Sequence, residues 1–121
     1  MSLRRLLLIA PLLAACGGEP PARSMVVGEG QLAVPGGSIW YTVSGTGEGT
    51  PLVLLHGGPG FPSYYLKPFE ALGDDRPVVR YDQLGAGKSG ATTDTTLFTV
   101  PHFVAELDSL RAALGVSRWD V

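Results

Sequence analysis

Hydrophobic residues fall in short blocks along this chain, and the spacing inside each block differs. Residues 31–34 (QLAV) and 38–43 (SIWYTV) are β-prone stretches separated by Pro35, Gly36 and Gly37, which predicts an antiparallel hairpin closed by a tight turn. Residues 51–56 (PLVLLH) show no polar alternation, so both faces of a strand there should be covered, as in a parallel sheet. Residues 77–82 (PVVRYD) form a second such candidate.

Helical spacing appears between and after these strands. In residues 63–73, Tyr65, Leu66, Phe69 and Leu72 recur at helical intervals; Ser63 can cap the segment and Gly73 can end it, while Pro68 predicts a kink or a late start. Residues 99–115 predict the clearest helix, with Thr99 as its cap, Pro101 in the first turn and Gly115 just past the end. Phe103, Leu107, Leu110 and Leu114 form its apolar stripe. A third apolar stretch begins at residues 118–121. The succession predicts the α/β class: an antiparallel hairpin, then parallel strands joined by right-handed crossover helices. No internal repeat interrupts it.

The first 25 residues follow a different pattern. Arg4 and Arg5 precede an apolar run that only Pro11 breaks, and the run ends at Cys16, the one cysteine of the chain. This is the layout of a secretory signal, and the run is too short to span a bilayer as a helix. Leu13, Ala14, Ala15 and Cys16 resemble a bacterial lipobox, which implies a signal at 1–15, cleavage before Cys16 and acylation of its thiol. The implied location is a cell-membrane or outer-membrane face outside the cytoplasm; cleavage at the neighbouring small residues would give a secreted or periplasmic protein instead. Residues 16–25, rich in Gly and Pro, read as a tether, and residues 26–121 as the folded part.

Nine basic residues against eleven acidic ones, without a basic run, argue against nucleic acid as a partner. No cofactor or metal is implied.

Two motifs carry candidate chemistry. His56, Gly57, Gly58, Pro59 and Gly60 directly follow the first buried strand, where open α/β sheets place their ligands. Gly57 and Gly58 can bring a backbone N–H close to a ligand atom, and Pro59 stiffens the loop. Residues 82–89 (DQLGAGKS) follow the second strand. Their Gly-Lys-Ser resembles a P-loop, but Asp82 stands where its first glycine should be, an anion at a phosphate position; nucleotide binding is therefore not expected.

Together, the two motifs resemble those of the α/β-hydrolase fold, and more narrowly its proline iminopeptidase branch. Leu84 departs from the Asp-Gln-Arg-Gly common in that branch, which leaves the substrate less constrained than the fold. The resemblance implies a serine hydrolase that cleaves a peptide or a small amide or ester through an acyl-enzyme. It places half of an oxyanion hole at the backbone N–H of Gly58, with Gly57 as second candidate. The triad serine, aspartate and histidine are expected outside these residues, because residues 118–121 match the strand that leads to the nucleophile turn. The 121-residue chain is thus read as the N-terminal portion of such an enzyme, inactive alone.

Other residues receive plainer readings. His56 is expected to order its loop by hydrogen bonding, and His102 to be a surface or capping residue. Asp82 and Gln83 are expected to tie loops through backbone N–H groups, and Gly85, Gly87 and Ser89 to shape theirs, Ser89 by local hydrogen bonding rather than as a nucleophile. Trp40, Tyr64 and Tyr65 read as packing residues. Esterase or epoxide hydrolase chemistry on the same scaffold, or a non-catalytic lipid-anchored binding domain, remain the alternatives.

Overall fold

The structure, a computed structural model, describes residues 25–58 and 60–121. The signal at 1–15, Cys16, the tether up to residue 24, and Pro59 lie outside the described residues.

Four strands form one mixed sheet: β1 (Gly28–Val34), β2 (Gly37–Ser44), β3 (Leu52–Leu54) and β4 (Val78–Asp82), in the order β1-β2-β4-β3. β1 and β2 make the expected hairpin, with Val34 opposite Gly37 across a two-residue Pro35-Gly36 turn. β2 then pairs antiparallel with β4, and β4 pairs parallel with β3 in the register Leu52 to Val78 and Leu54 to Arg80. Asp120 makes an isolated parallel bridge to Leu52 on the other side of β3, within the apolar stretch expected at residues 118–121.

Every residue of β4 is buried, including Arg80 and Asp82, which matches a strand lying between two neighbours. β3 is shorter than the apolar run: Leu55 is exposed, while His56 turns back into the interior. One face of the sheet holds the core of Val34, Ile39, Val43, Val53, Val79 and Tyr81, closed by Leu84 and by Leu110 of α1 (Val100–Ala113).

α1 begins as its sequence predicts. Thr99 is the cap, its hydroxyl accepting the His102 N–H, Pro101 stands in the first turn, and Gly115 takes φ +68° beyond the last turn. The side chain of His102 is a correction: only 11% exposed, it lies 3.1 Å from Glu106 Oε1, an ion-pair distance without hydrogen-bond alignment. Glu106 is itself buried within the apolar stripe, which sequence periodicity alone would not place there.

The crossover from β3 to β4 departs further from expectation. Ser63–Asp74 winds as a 3₁₀ helix, not an α-helix, with Pro68 inside it. Pro62, and not Ser63, stands at its cap position and makes no side-chain cap bond. Ser63 is fully buried, because long-range partners on β4 claim it, and Tyr65, Phe69 and Leu72 are exposed. Three residues per turn rotate the i, i+4, i+7 positions off a common face, so the apolar stripe that 3.6-residue spacing implied does not form.

Candidate active site

The C-terminal ends of β3 and β4 lie side by side, and each opens into one of the two glycine-containing loops. Side chains at the two strand ends hold these loops together.

His56 stands two residues past β3. Its Nε2 accepts the backbone N–H of Gln83 at 2.9 Å, which places the ring proton on Nδ1, 3.5 Å from the Gly57 carbonyl. Burial lowers the pKa of His56, and this outweighs the upward pull of the Gly57 carbonyl and the Asp82 charge. A neutral imidazole results, the form that can accept from Gln83.

Asp82 ends the second strand. One carboxylate oxygen accepts the Ser63 N–H at 2.7 Å and the other the Lys88 N–H at 2.8 Å. Burial alone would raise its pKa, but the hydrogen bonds from Ser63 and Lys88 prevail and hold it below the usual carboxylate value. A single carboxylate therefore joins the segment after the first loop to the segment inside the second.

The second loop folds back on Asp82. Ser89 Oγ donates to the Asp82 carbonyl and accepts the Trp40 N–H at 2.8 Å, while Gly90 N–H donates to the Ser38 carbonyl at 2.7 Å. Gly85 N–H reaches the Gly90 carbonyl at 2.9 Å, which closes the loop on itself. Gly87 has φ +52°, and a Cβ there would collide with the Asp82 carboxylate and with Pro62, so only glycine lets Asp82 reach Lys88. Leu84 is buried in the core, and its N–H faces the Glu106 carboxylate at 3.3 Å. Burial raises the pKa of Glu106 despite that contact.

The first loop is different in kind. Gly58 has φ +64°, and nothing lies within 4 Å of where a Cβ would stand. Its carbonyl accepts the Phe61 N–H at 3.0 Å, and Gly60 adopts φ +88° inside that turn. Among the described residues the Gly58 N–H has no acceptor. The Gly57 N–H does have one, the Tyr65 hydroxyl, at 2.8 Å. A backbone N–H without an acceptor among the described residues, on a loop braced from both strands, can stabilise negative charge developing on a carbonyl oxygen.

Four contributions were not readable from the chain. Tyr65 accepts a loop N–H instead of only packing, Ser63 serves as a buried anchor, and Glu106 reaches Leu84 from α1. Trp40 packs as expected, but beside two cations: the Arg80 guanidinium is 5.1 Å and the Lys88 ammonium 4.3 Å from its ring centroid, with Glu29 accepting its indole N–H at 3.0 Å. Gln83 contributes its backbone N–H to the loop tie, and its side chain takes no part in that tie.

A strand–loop–crossover unit with loops at the carboxyl ends of the sheet is the layout in which open α/β folds place their ligands. The sequence profile of the alpha/beta hydrolase fold matches residues 50–121, and the chain belongs to that family. It is 47% identical over 89 residues to a proline iminopeptidase of Heyndrickxia coagulans, a match covering 73% of this chain and 31% of that protein. A proline iminopeptidase of Levilactobacillus brevis is 51% identical over 67 residues, covering 54% and 22%. Among solved structures, a proline iminopeptidase-related protein from Thermus thermophilus superposes with a TM-score of 0.70 at 37% identity, over 78% of this chain and 35% of that one. The chain thus spans about a third or less of the length of the relatives it matches.

Proposed function

We propose that this chain is the N-terminal part of a proline iminopeptidase-like serine hydrolase, and that its first loop supplies one half of the oxyanion hole. The identity of 47% over 89 residues to a proline iminopeptidase carries the substrate reading. The unpartnered Gly58 N–H supports the role of the loop.

In this reading a serine outside these residues attacks the carbonyl carbon of an N-terminal proline or similar residue. A histidine takes the serine proton, and the carbonyl π electrons move onto oxygen. The Gly58 N–H donates to that oxyanion, together with the N–H of the residue after the serine. Collapse breaks the C–N bond, the histidine proton leaves with the amine, and water then hydrolyses the ester of the acyl-enzyme. One such donor contributes about 3 kcal/mol to the transition state, so its loss would slow turnover by two orders of magnitude or more. His56 and Asp82 act at a distance, by fixing the loop that carries Gly58.

The second part of the proposal concerns location. The lipobox-like sequence before Cys16 supports an acylated N-terminus and attachment to a membrane face outside the cytoplasm. Among the described residues no helix is long and apolar enough to cross a membrane.

The test of the catalytic reading is the hydrolase that contains this chain, assayed on proline p-nitroanilide and on p-nitrophenyl acetate. Efficient release of p-nitroaniline supports the iminopeptidase. Turnover of the acetate ester with none of the proline anilide would overturn it in favour of an esterase.

A further inference from the structure

The two candidate donors of the first loop are not equivalent, and the difference lies in a residue outside the motif. Tyr65 is the third residue of the 3₁₀ segment, and its hydroxyl oxygen stands 2.8 Å from the Gly57 nitrogen. The segment that carries it is fastened to β4. Ser63 N–H binds the Asp82 carboxylate at 2.7 Å, the Ser63 hydroxyl accepts from Arg80, and Glu70 pairs with Arg80 at 2.9 Å. The Tyr65 ring is further braced by Phe61, with centroids 5.5 Å apart, and by Tyr64 edge-on at 6.4 Å.

From this geometry we infer that Tyr65 is a positioning residue of the oxyanion loop: by accepting the Gly57 N–H it fixes the loop so that the Gly58 N–H is the donor presented to substrate. The inference rests on the proposed reading of this loop as an oxyanion donor. It goes beyond that reading in naming the side chain that fixes which glycine is the donor.

The chemistry of the choice is simple. A loop with two free N–H groups and a flexible glycine pair would populate several arrangements, each presenting a donor in a different direction. Binding one of them to a hydroxyl on a segment tied to β4 restricts that freedom before substrate arrives, which is the preorganisation that electrostatic catalysis needs. A Cβ on Gly57 would meet Tyr65 Oη at 3.9 Å, ordinary contact, so the hydroxyl follows the loop backbone closely without crowding it.

The experiment is amide hydrogen exchange by NMR on the ¹⁵N-labelled chain, for the wild type, Tyr65→Phe and Phe61→Leu. Tyr65→Phe keeps the ring and removes the acceptor, and is expected to speed Gly57 exchange about tenfold, as for loss of one net hydrogen bond, with Gly58 changed by less than about twofold. Phe61→Leu loosens the ring cluster and keeps the hydroxyl, so Gly57 should stay within about twofold of wild type. An unchanged Gly57 in Tyr65→Phe, or equal acceleration in Phe61→Leu, would overturn the inference.

The kinetic counterpart, in the hydrolase containing this chain, is a kcat lowered about tenfold by Tyr65→Phe with KM within about twofold, because positioning for the transition state is lost and ground-state binding is not. A rise in KM with kcat preserved would overturn the positioning role. A Gly57 that responds as expected in a protein with no hydrolase activity would contradict the oxyanion reading and leave the Tyr65 bond intact.

Discussion

His56, two residues past β3, accepts the backbone N–H of Gln83, the first residue past β4, at 2.9 Å, and this one bond joins the starts of both glycine loops. It is made by a neutral imidazole, so it depends on pH. The pKa of His56 is lowered by burial from the ordinary 6.5, so between that value and the lower folded one the unfolded chain binds more protons than the folded chain. Stability from this group is therefore full above about pH 6.5 and is lost as pH falls through the folded pKa. Urea unfolding between pH 8 and pH 5 should show this slope in the wild type and lose it in His56→Gln, whose amide oxygen can still accept from Gln83.

Asp82 is the stronger tie. Asp82→Asn retains one acceptor but turns an amide N–H₂ toward a second backbone N–H, so it should destabilise the chain by about 1–3 kcal/mol, seen as a lowered Tm. Its wild-type contribution is present above the unfolded carboxylate pKa and is lost as pH falls below about 3.8 toward the lower folded value. An Asp82→Asn protein with the same Tm and acid transition as wild type would mean that the carboxylate is not the tie.

Gly87 and Gly58 both have positive φ, yet their substitution should have different costs. Gly58→Ala meets open space and bears only the left-handed backbone strain, about 1–2 kcal/mol. Gly87→Ala adds a collision with the Asp82 carboxylate and should cost about 2–5 kcal/mol in all. Chemical denaturation of the two variants side by side checks the order.

Membrane attachment is tested at Cys16. Cys16→Ser should move the protein from the membrane fraction to the soluble fraction of a bacterial host that processes lipoproteins. Unchanged fractionation would remove the lipid anchor from the account.

What the sequence revealed and what it concealed follows the range of the interactions. The hairpin was legible because Pro35 and Gly36 act locally, and β4 because an unbroken apolar-led run bounded by proline signals a covered strand. The start and end of α1 were legible for the same reason: Thr99, Pro101 and Gly115 act on backbone within one turn. The 63–74 segment was not, because Ser63 is claimed by Asp82 and Arg80, 19 and 17 residues away, and those bonds override its capping preference. Tyr65 and Glu106 were missed similarly. Nothing in their spacing marks one as the acceptor for Gly57 or the other as facing Leu84, since both relations exist only after the crossover and α1 have docked.

In the proposed reading these residues hold the oxyanion half of a serine hydrolase and none of its triad. Labelling with a fluorophosphonate, read together with release of p-nitroaniline from proline p-nitroanilide, checks this on the 121-residue chain and on a hydrolase that contains it. No label and no turnover are expected for the former, and for the latter both, with the label on a serine in a Gly-x-Ser-x-Gly turn. Turnover by the 121-residue chain that disappears on Ser89→Ala would contradict that reading.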